Sequence, residues 1–184
     1  MPSPVGHALG AVATGWIIGR FPVPGSGFPV PMHPSPSRRA RLTQAALLAA
    51  VGVAPDLDLL VGRHSMESHS IGVAVLVGAL AAWGRWPVAA TRLRIFFAVG
   101  LAWLSHPLLD MLALDTSAPL GVMFFWPFST AHLQTGTSVF AAISRRYWLE
   151  GWVRYTALSV AREIVILAPL AWLAWRRTLK NPAN

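Results

Sequence analysis

The residues that first suggest chemistry are His106 and Asp110, which lie in a segment otherwise apolar enough to occupy a lipid bilayer. Residues 95–113 read IFFAVGLAWLSHPLLDMLA. Residues four apart on a helix share a face, so the imidazole and the carboxylate point the same way, as metal ligands do. An Asp near the centre of a spanning helix costs about 2.5–3.5 kcal/mol on insertion. Such a residue is therefore a functional candidate by default.

The composition indicates an integral membrane protein. Of the 184 residues, 54% are hydrophobic and 12% are charged, which is too apolar for an ordinary soluble domain. A net charge of +8 in a soluble protein would suggest nucleic acid, but here Lys and Arg lie between apolar segments. We therefore expect a lipid bilayer as the partner and no nucleic acid. Because the chain has no cysteine, a metal ion must be held by His, Asp, Glu or backbone groups.

The apolar pattern predicts a single all-α domain over residues 1–184, a bundle of about five transmembrane helices. The apolar segments cover residues 5–19, 42–61, 69–86, 95–113 and 155–175. Residues 20–41, rich in Pro, Gly and Ser, are predicted to form a cytoplasmic loop, and residues 114–154 an interfacial loop on the outer side. No basic region precedes the first apolar run, so a cleaved signal peptide is not expected.

The distribution of Lys and Arg predicts the orientation of this bundle. Ten fall on one side of five spans, four fall on the other, and Arg162 lies inside the last span: Arg20, Arg38, Arg39, Arg41, Arg85, Arg92, Arg94, Arg176, Arg177 and Lys180 against Arg63, Arg145, Arg146 and Arg154. The positive-inside rule then predicts a multi-pass protein of the inner (plasma) membrane with a cytoplasmic C-terminus.

In this topology, six candidate metal ligands from four segments meet at the outer level of the bundle, and Arg162 falls at a similar depth. The six are His7, Asp56, Asp58, His69, His106 and Asp110. Because the six residues lie at one level of the bundle, we expect a polar metal site near the outer interface.

The residues around Pro55 leave two interpretations open. Proline removes a helical hydrogen bond, and the resulting kink lets Asp56 and Asp58 turn toward one place. On an unbroken helix the two carboxylates diverge, and one of them then only caps or solvates the helix end. His64 and Glu67 follow in a short polar turn, where solvated loop residues are the usual interpretation.

Arg162 and Glu163 are the ionisable residues of the last apolar segment. Because they are adjacent they cannot share a helix face, so internal salt bridges to different partners are the ordinary interpretation. The sharper hypothesis is that Arg162 binds a substrate phosphate. His33, in the proline-rich segment, has no assigned role.

The order of the motifs resembles the bacterial membrane-bound, metal-dependent hydrolases of the YdjM type. The matching motifs, over about residues 5–128, are His7, Pro55-Asp56-Leu57-Asp58, His64 ahead of His69-Ser70, His106-x-x-x-Asp110 and Trp126-Pro127-Phe128. These hydrolases are in turn similar to the secreted zinc-dependent phospholipases C and single-strand nucleases. That resemblance implies the ligands His7, Asp56 or Asp58, His69, His106 and Asp110.

Two departures from the pattern bear on this site. Arg63-His64-Ser65 stands where the family often has His-Arg-Gly, so the role of His64 does not carry over. The secreted enzymes use a second His-x-x-x-acid pair, whereas the residue four after His132 is Gly136. The resemblance therefore implies one or two ions and not three.

The expected function is hydrolysis of a phosphoester in a lipid or lipid-linked, amphiphilic substrate by a metal-activated water. The His and carboxylate ligands favour Zn²⁺, with Mn²⁺ or Fe²⁺ as alternatives. Asp58 or Glu67 is the expected base or orients a ligand His, and Arg162 is the expected phosphate contact.

The competing class is a non-enzymatic membrane protein, either a small transporter component or a structural partner with a structural metal or polar cluster. A transporter predicts polar residues along a path through the whole bilayer. Here the polar residues concentrate at one level, which favours a site.

Overall fold

The structure of the protein is a computed structural model that describes residues 1–19, 37–62, 64–115, 119–143 and 147–179. These residues form five α-helices: α1 (Pro4–Ile18), α2 (Arg38–Val53), α3 (Ile71–Trp83), α4 (Arg92–Met111) and α5 (Trp152–Leu179). Short 3₁₀ helices follow α2 (Ala54–Val61) and precede α3 (Glu67–His69). Within the described ranges there are two isolated β-bridges and no strand, which confirms the all-α prediction.

Three stretches of helix are long and apolar enough to cross a membrane. They are α2 with its 3₁₀ extension (Arg38–Val61), α4 (Arg92–Met111) and α5 from Trp152 to Arg177. The other two helices, α1 with 15 residues and α3 with 13, are shorter than the roughly 20 residues that span a bilayer. The membrane bundle is therefore confirmed, with three helices of full spanning length and two shorter apolar ones.

Two helix boundaries differ from the predicted loops. The first is α2, which begins at Arg38 because Ser37 caps it, accepting a hydrogen bond from the Ala40 N–H on its side-chain oxygen. The second is α5, which begins at Trp152, inside the predicted interfacial loop. Residues 20–36 of the predicted cytoplasmic loop, including His33, lie outside the described residues, as do Arg63, Arg145, Arg146 and Lys180.

At the centre of the bundle, α1 packs against α2, α4 and α5, and α3 packs against α4. One end of the bundle has an apolar core that includes Trp16, Leu48, Val51, Ile95 and Val99. The opposite end contains the start of α1, the 3₁₀ extension of α2, the start of α3 and the end of α4. We call this opposite end the cluster end, because the candidate ligands lie there.

A loop within residues 119–143 covers the start of α3 at the cluster end. The N–H groups of Ile71 and Gly72 donate to the carbonyls of Phe124 and Trp126, at 2.9 and 3.1 Å. These bonds use two of the donors that the first turn of a helix leaves without a partner. The loop thereby fixes the start of α3 next to His69.

Candidate metal centre

The structure brings seven ionisable side chains together at the cluster end. They comprise all six predicted ligands and His64: His7 from α1, Asp56 and Asp58 from the 3₁₀ extension, His64 and His69 from the turn before α3, and His106 and Asp110 from α4. We refer to this set as the cluster. The convergence inferred from topology is therefore present in three dimensions.

The kink expected at Pro55 is a change of helix type. From Ala54 the chain continues as a 3₁₀ helix, so Asp56 and Asp58 lie on either side of one imidazole. Asp56 Oδ1 is 3.8 Å from Nε2 of His69, and Asp58 Oδ2 is 3.2 Å from Nδ1 of the same ring. Both carboxylates face the cluster, but they contact different nitrogens.

Four residues, Asp56, His69, His106 and Asp110, form the centre of the cluster, which we call the tetrad. Nε2 of His69 and Nε2 of His106 are 3.1 Å apart. Oδ1 of Asp56 lies 3.8 Å from the first nitrogen and 3.4 Å from the second. Oδ2 of Asp110 lies 3.4 and 3.3 Å from the same two atoms. Each of the two nitrogens thus lies within 3.8 Å of the other nitrogen and of both oxygens.

These spacings fit a divalent cation. Zinc binds His nitrogens and carboxylate oxygens at about 2.0–2.2 Å, so neighbouring ligands in a tetrahedral site lie roughly 3.3–3.6 Å apart. The one nitrogen–nitrogen and four nitrogen–oxygen distances in the tetrad, 3.1–3.8 Å, cover that range. Imidazole and carboxylate without thiolate also suit Mn²⁺ and Fe²⁺.

Hydrogen bonds on the far side of each ring aim the two tetrad histidines. Nδ1 of His106 is 2.7 Å from the carbonyl of Gly52, which only accepts, so the proton is assigned to Nδ1 and Nε2 is left for a cation. Nδ1 of His69 faces Asp58 and the Ser68 hydroxyl, at 3.2 and 2.9 Å. Such partners fix the tautomer and orientation of metal-binding histidines.

Several buried donor and acceptor atoms of the cluster have no hydrogen-bond partner among the described residues. They are both ring nitrogens of His7, Oδ1 of Asp56 and both carboxylate oxygens of Asp110. Buried polar atoms normally have a partner, because each one left without costs about 1–3 kcal/mol. Oδ1 of Asp56 and Oδ2 of Asp110 both lie near Nε2 of His106, and Oδ1 of Asp110 lies 3.4 Å from Nε2 of His7, so these residues fit a bound cation that would coordinate them.

Six of the seven cluster residues, all except Asp58, form two groups of three that are each close enough to hold an ion. His7, His106 and Asp110 form the buried group, and Asp56, His64 and His69 form the rim group. The rings of His7 and His106 are fully buried and stack at 3.6 Å between centroids. The side chains of Asp56 and His64 retain 14% and 17% exposure. Solvent therefore reaches the cluster from the rim group, and both one ion and two ions are compatible with the donors present.

His64 and His69, the two cluster histidines outside the α-helices, differ in their electrostatic surroundings. Burial lowers the pKa of His69, but the nearby carboxylates of Asp110, Asp56 and Asp58 outweigh burial and raise that pKa to about 11. For His64, burial dominates and lowers the pKa, although Asp58 opposes it. In the metal-free protein His69 therefore holds the proton that offsets the carboxylates, whereas His64 is neutral at pH 7.

His64 is the cluster residue that the sequence did not predict. Its Nδ1 lies 3.2 Å from Oδ1 of Asp58 and 3.9 Å from Oδ1 of Asp56, and its side chain is largely buried. The expectation of a solvated loop residue was wrong because the turn folds back over the 3₁₀ helix. Its nearest neighbour in the turn, Ser65, has a positive φ of 62° that redirects the chain.

The structure places the other predicted residues outside the tetrad. The side chain of Arg162 is exposed on α5, while the adjacent Glu163 faces α1, bonds to Ser3 and forms no salt bridge with another described residue. Glu67 lies partly exposed in the 3₁₀ turn before α3. His132 is partly buried in the loop over the cluster end. The catalytic roles of Asp58, Glu67 and Arg162 remain predictions.

Comparison with protein-family models assigns the chain. It belongs to the YdjM inner membrane protein family, whose model matches residues 1–182. Comparison with curated proteins and with solved structures found no match. The family and the apolar helices agree that this is an inner membrane protein. Its His/Asp groups are close enough to hold a metal ion.

Proposed function

We propose that the protein is a membrane-bound, metal-dependent hydrolase that cleaves a phosphoester in a lipid or lipid-linked substrate. The tetrad carries the proposal, because two imidazole nitrogens 3.1 Å apart each lie 3.3–3.8 Å from two buried carboxylate oxygens that have no hydrogen-bond partner among the described residues. A divalent cation bound there supplies Lewis acidity and makes water nucleophilic near neutral pH. Zn²⁺ is the ion that these ligands suit best, and the two groups allow one or two ions.

The residues around the tetrad have distinct proposed tasks. Asp58 accepts the Nδ1 proton of His69 and so holds Nε2 toward the tetrad. Asp56, the more exposed carboxylate of the tetrad, lies where water and substrate arrive. Asp58 or Glu67 is the proposed acceptor for the proton of the attacking water. Arg162, exposed on α5, is the proposed contact for the substrate phosphate, as its charge suits a lipid phosphate.

The surroundings of the rim group favour an amphiphilic substrate. Leu57 lies between the two rim-side carboxylates in sequence and is 61% exposed, and Leu60, one 3₁₀ turn later, is 83% exposed. A polar centre bordered by exposed apolar side chains on a candidate spanning segment suits a molecule with a phosphate and an acyl chain. By the positive-inside rule, the proposed orientation has the cluster facing the outer side and the C-terminus in the cytoplasm.

The alternative is a structural ion in a non-enzymatic membrane protein, and one observation favours it. Structural zinc sites are closed by four protein ligands, whereas catalytic sites keep one position open. The tetrad itself offers four ligands. Catalysis therefore requires the partly exposed Asp56 to yield its position, or the ion to accept a fifth ligand.

The experiment is to purify the protein in detergent, measure bound metal, and assay phosphodiester cleavage. The substrates are vesicles of phosphatidylcholine with phosphatidylglycerol and a soluble chromogenic phosphodiester. We expect about one or two ions per chain, and cleavage that disappears with a chelator and returns with Zn²⁺. Asp56→Ala should abolish cleavage, while His132→Ala, a histidine outside the cluster, is the control.

The outcomes separate the two functions. Bound metal with cleavage of vesicle lipid supports the hydrolase. Stoichiometric metal with no cleavage of either substrate, and a metal-dependent melting temperature, would establish the structural alternative. Absence of bound metal in wild-type protein after loading with Zn²⁺ would refute both.

A further inference from the structure

We infer that Glu163 is a positioning residue that holds His7 in the cluster by fixing Ser3, the residue that caps α1. This inference rests on the metal site of the proposed function, but not on hydrolysis. It gives a role to a buried carboxylate that the proposed chemistry does not use.

Glu163 is an unusual residue for its place. It is 1% exposed on α5, a helix able to span a membrane, where an ionisable side chain is expensive and retained for function. Its carboxylate accepts hydrogen bonds from the Ser3 N–H, at 2.8 Å, and from the Ser3 hydroxyl. A Cβ on Gly6 would lie 2.6 Å from Oε2, so glycine at that position lets the carboxylate approach α1.

Ser3 connects this carboxylate to the backbone of His7. The Ser3 side-chain oxygen accepts from the Gly6 N–H at 3.1 Å, and its carbonyl accepts from the His7 N–H, also at 3.1 Å. These are the capping bonds of the first turn of α1. A shift of Ser3 relative to α5 therefore moves His7 relative to α4.

His7 depends on this backbone placement more than the other ligands do. Neither of its ring nitrogens has a hydrogen-bond partner among the described residues, whereas His69 and His106 are each aimed through Nδ1. Its ring is located by stacking on His106 and by a 3.4 Å contact between Nε2 and Oδ1 of Asp110, both of which are residues of α4. Its position follows from where α1 begins.

The packing of α5 agrees with such a role. Among the described residues α5 supplies no member of the cluster, and α1 is its main helical partner. A second contact joins the other ends of the two helices, where the rings of Trp16 and Trp175 lie 5.2 Å apart. From Ser3 to Trp16 is about 20 Å and from Glu163 to Trp175 about 18 Å, so α1 and α5 run parallel and are held at both ends.

The test uses the full-length protein in detergent with Co²⁺ as the probe. Glu163→Leu removes both acceptors at similar volume, and Glu163→Gln keeps one. Ser159→Ala is the matched control, because Ser159 is also buried on α5 but its hydroxyl donates within α5, to Tyr155. The readouts are the visible Co²⁺ spectrum, the Co²⁺ Kd and the metal-free melting temperature, each measured with and without His7→Ala.

We expect Glu163→Leu to weaken Co²⁺ binding about 10- to 100-fold and to give the spectrum of His7→Ala, with Glu163→Gln intermediate. In the His7→Ala background, Glu163→Leu should leave the Kd unchanged, because the ligand through which it acts is gone. Ser159→Ala should match wild type.

Equal weakening by Glu163→Leu in both backgrounds, or a lower melting temperature with an unchanged spectrum and Kd, would overturn the inference. If Glu163→Leu does not fold, the Glu163→Gln pair of measurements decides by the same comparison. Wild-type protein that binds Co²⁺ but hydrolyses nothing would refute the proposed activity and leave the positioning role standing. Wild-type protein that binds no Co²⁺ would remove both.

Discussion

The buried group and the rim group use the same side-chain types but are held in place by different forces. The buried group lies on two α-helices, with its two imidazoles stacked 14° from parallel and His7 without a hydrogen bond among the described residues. The rim group lies on 3₁₀ and turn segments and is hydrogen-bonded through Asp58 and Ser68. In the buried group, stacking locates His7 and one hydrogen bond to the Gly52 carbonyl orients His106. In the rim group, hydrogen bonds through Asp58 and Ser68 orient the histidines.

We infer that the two groups have different roles in the cluster. The side chains of the buried group, which helix packing fixes, provide metal-binding atoms at positions that do not depend on contact with solvent. Those on short segments are closer to water and can adjust as a ligand arrives. We therefore expect substitutions in the buried group to remove bound metal, and a substitution of the rim residue outside the tetrad, His64, to change bound metal less.

The largest expected effect is from His106→Ala, which removes one of the two residues, His106 and Asp110, that the buried group shares with the tetrad. We expect bound zinc to fall below about one tenth of the wild-type amount, because one donor is lost and the remaining carboxylates repel each other. His64→Ala, the matched change at the rim, should keep most of the metal. Metal analysis after size exclusion measures both. Equal loss in the two variants would erase the distinction between the groups.

The next prediction disturbs the buried group without changing a ligand. Gly52 lies where α1 and α2 touch, and a Cβ there would sit 2.7 Å from the carbonyl oxygen of His7. Gly52→Ala should lower the unfolding free energy by about 1–3 kcal/mol and weaken zinc binding, since α1 must move away from α2 and carry the backbone of His7 with it. Gly84→Ala, whose nearest contact would be 3.4 Å, is the control. Thermal melting and a zinc titration test this, and an unaltered Kd would show that the buried group adapts.

A smaller effect is expected from Asp58→Asn, which changes the partner of His69 while leaving the tetrad intact. The amide has one acceptor oxygen where the carboxylate has two, and it must serve His64, Ser68 and His69. Zinc affinity should fall about 10- to 100-fold with unchanged stoichiometry. Asp115→Asn, in the loop, provides the charge-matched comparison. Loss of stoichiometry would instead make Asp58 a direct ligand.

How far the sequence predicts the site depends on whether a residue's environment is local. His106 and Asp110 were identified from helical spacing in an apolar segment, and the convergence of the other ligands followed from counting spans. His64 was not identified as a cluster residue, because its contact with Asp58 depends on a turn with left-handed backbone at Gly62 and Ser65. No residue pattern in that turn indicates its path in advance.

The last helix shows a signal that was present but not used. Ser159, Glu163, Leu167, Ala171 and Ala174 are its buried residues, at intervals of four and three. That spacing defines one helix face and places Glu163 inward, which leaves the adjacent Arg162 outward. The identity of the inward partner, Ser3, depends on how α1 and α5 meet and has no sequence signature.

The smallest expected effect is the pH dependence of zinc affinity, compared between wild type and His64→Ala. The raised pKa of His69 stabilises the metal-free protein below about pH 6.5, and this contribution is lost as pH rises toward 11. An ion must displace that proton, so zinc affinity should rise about tenfold per pH unit between pH 6 and 8. His64, whose pKa burial lowers below 6.5, is neutral at pH 7 and above, so His64→Ala should keep the slope between pH 7 and 8. Isothermal titration in two buffers counts the released proton, and a slope of zero in wild type would show that His69 is neutral before the ion binds.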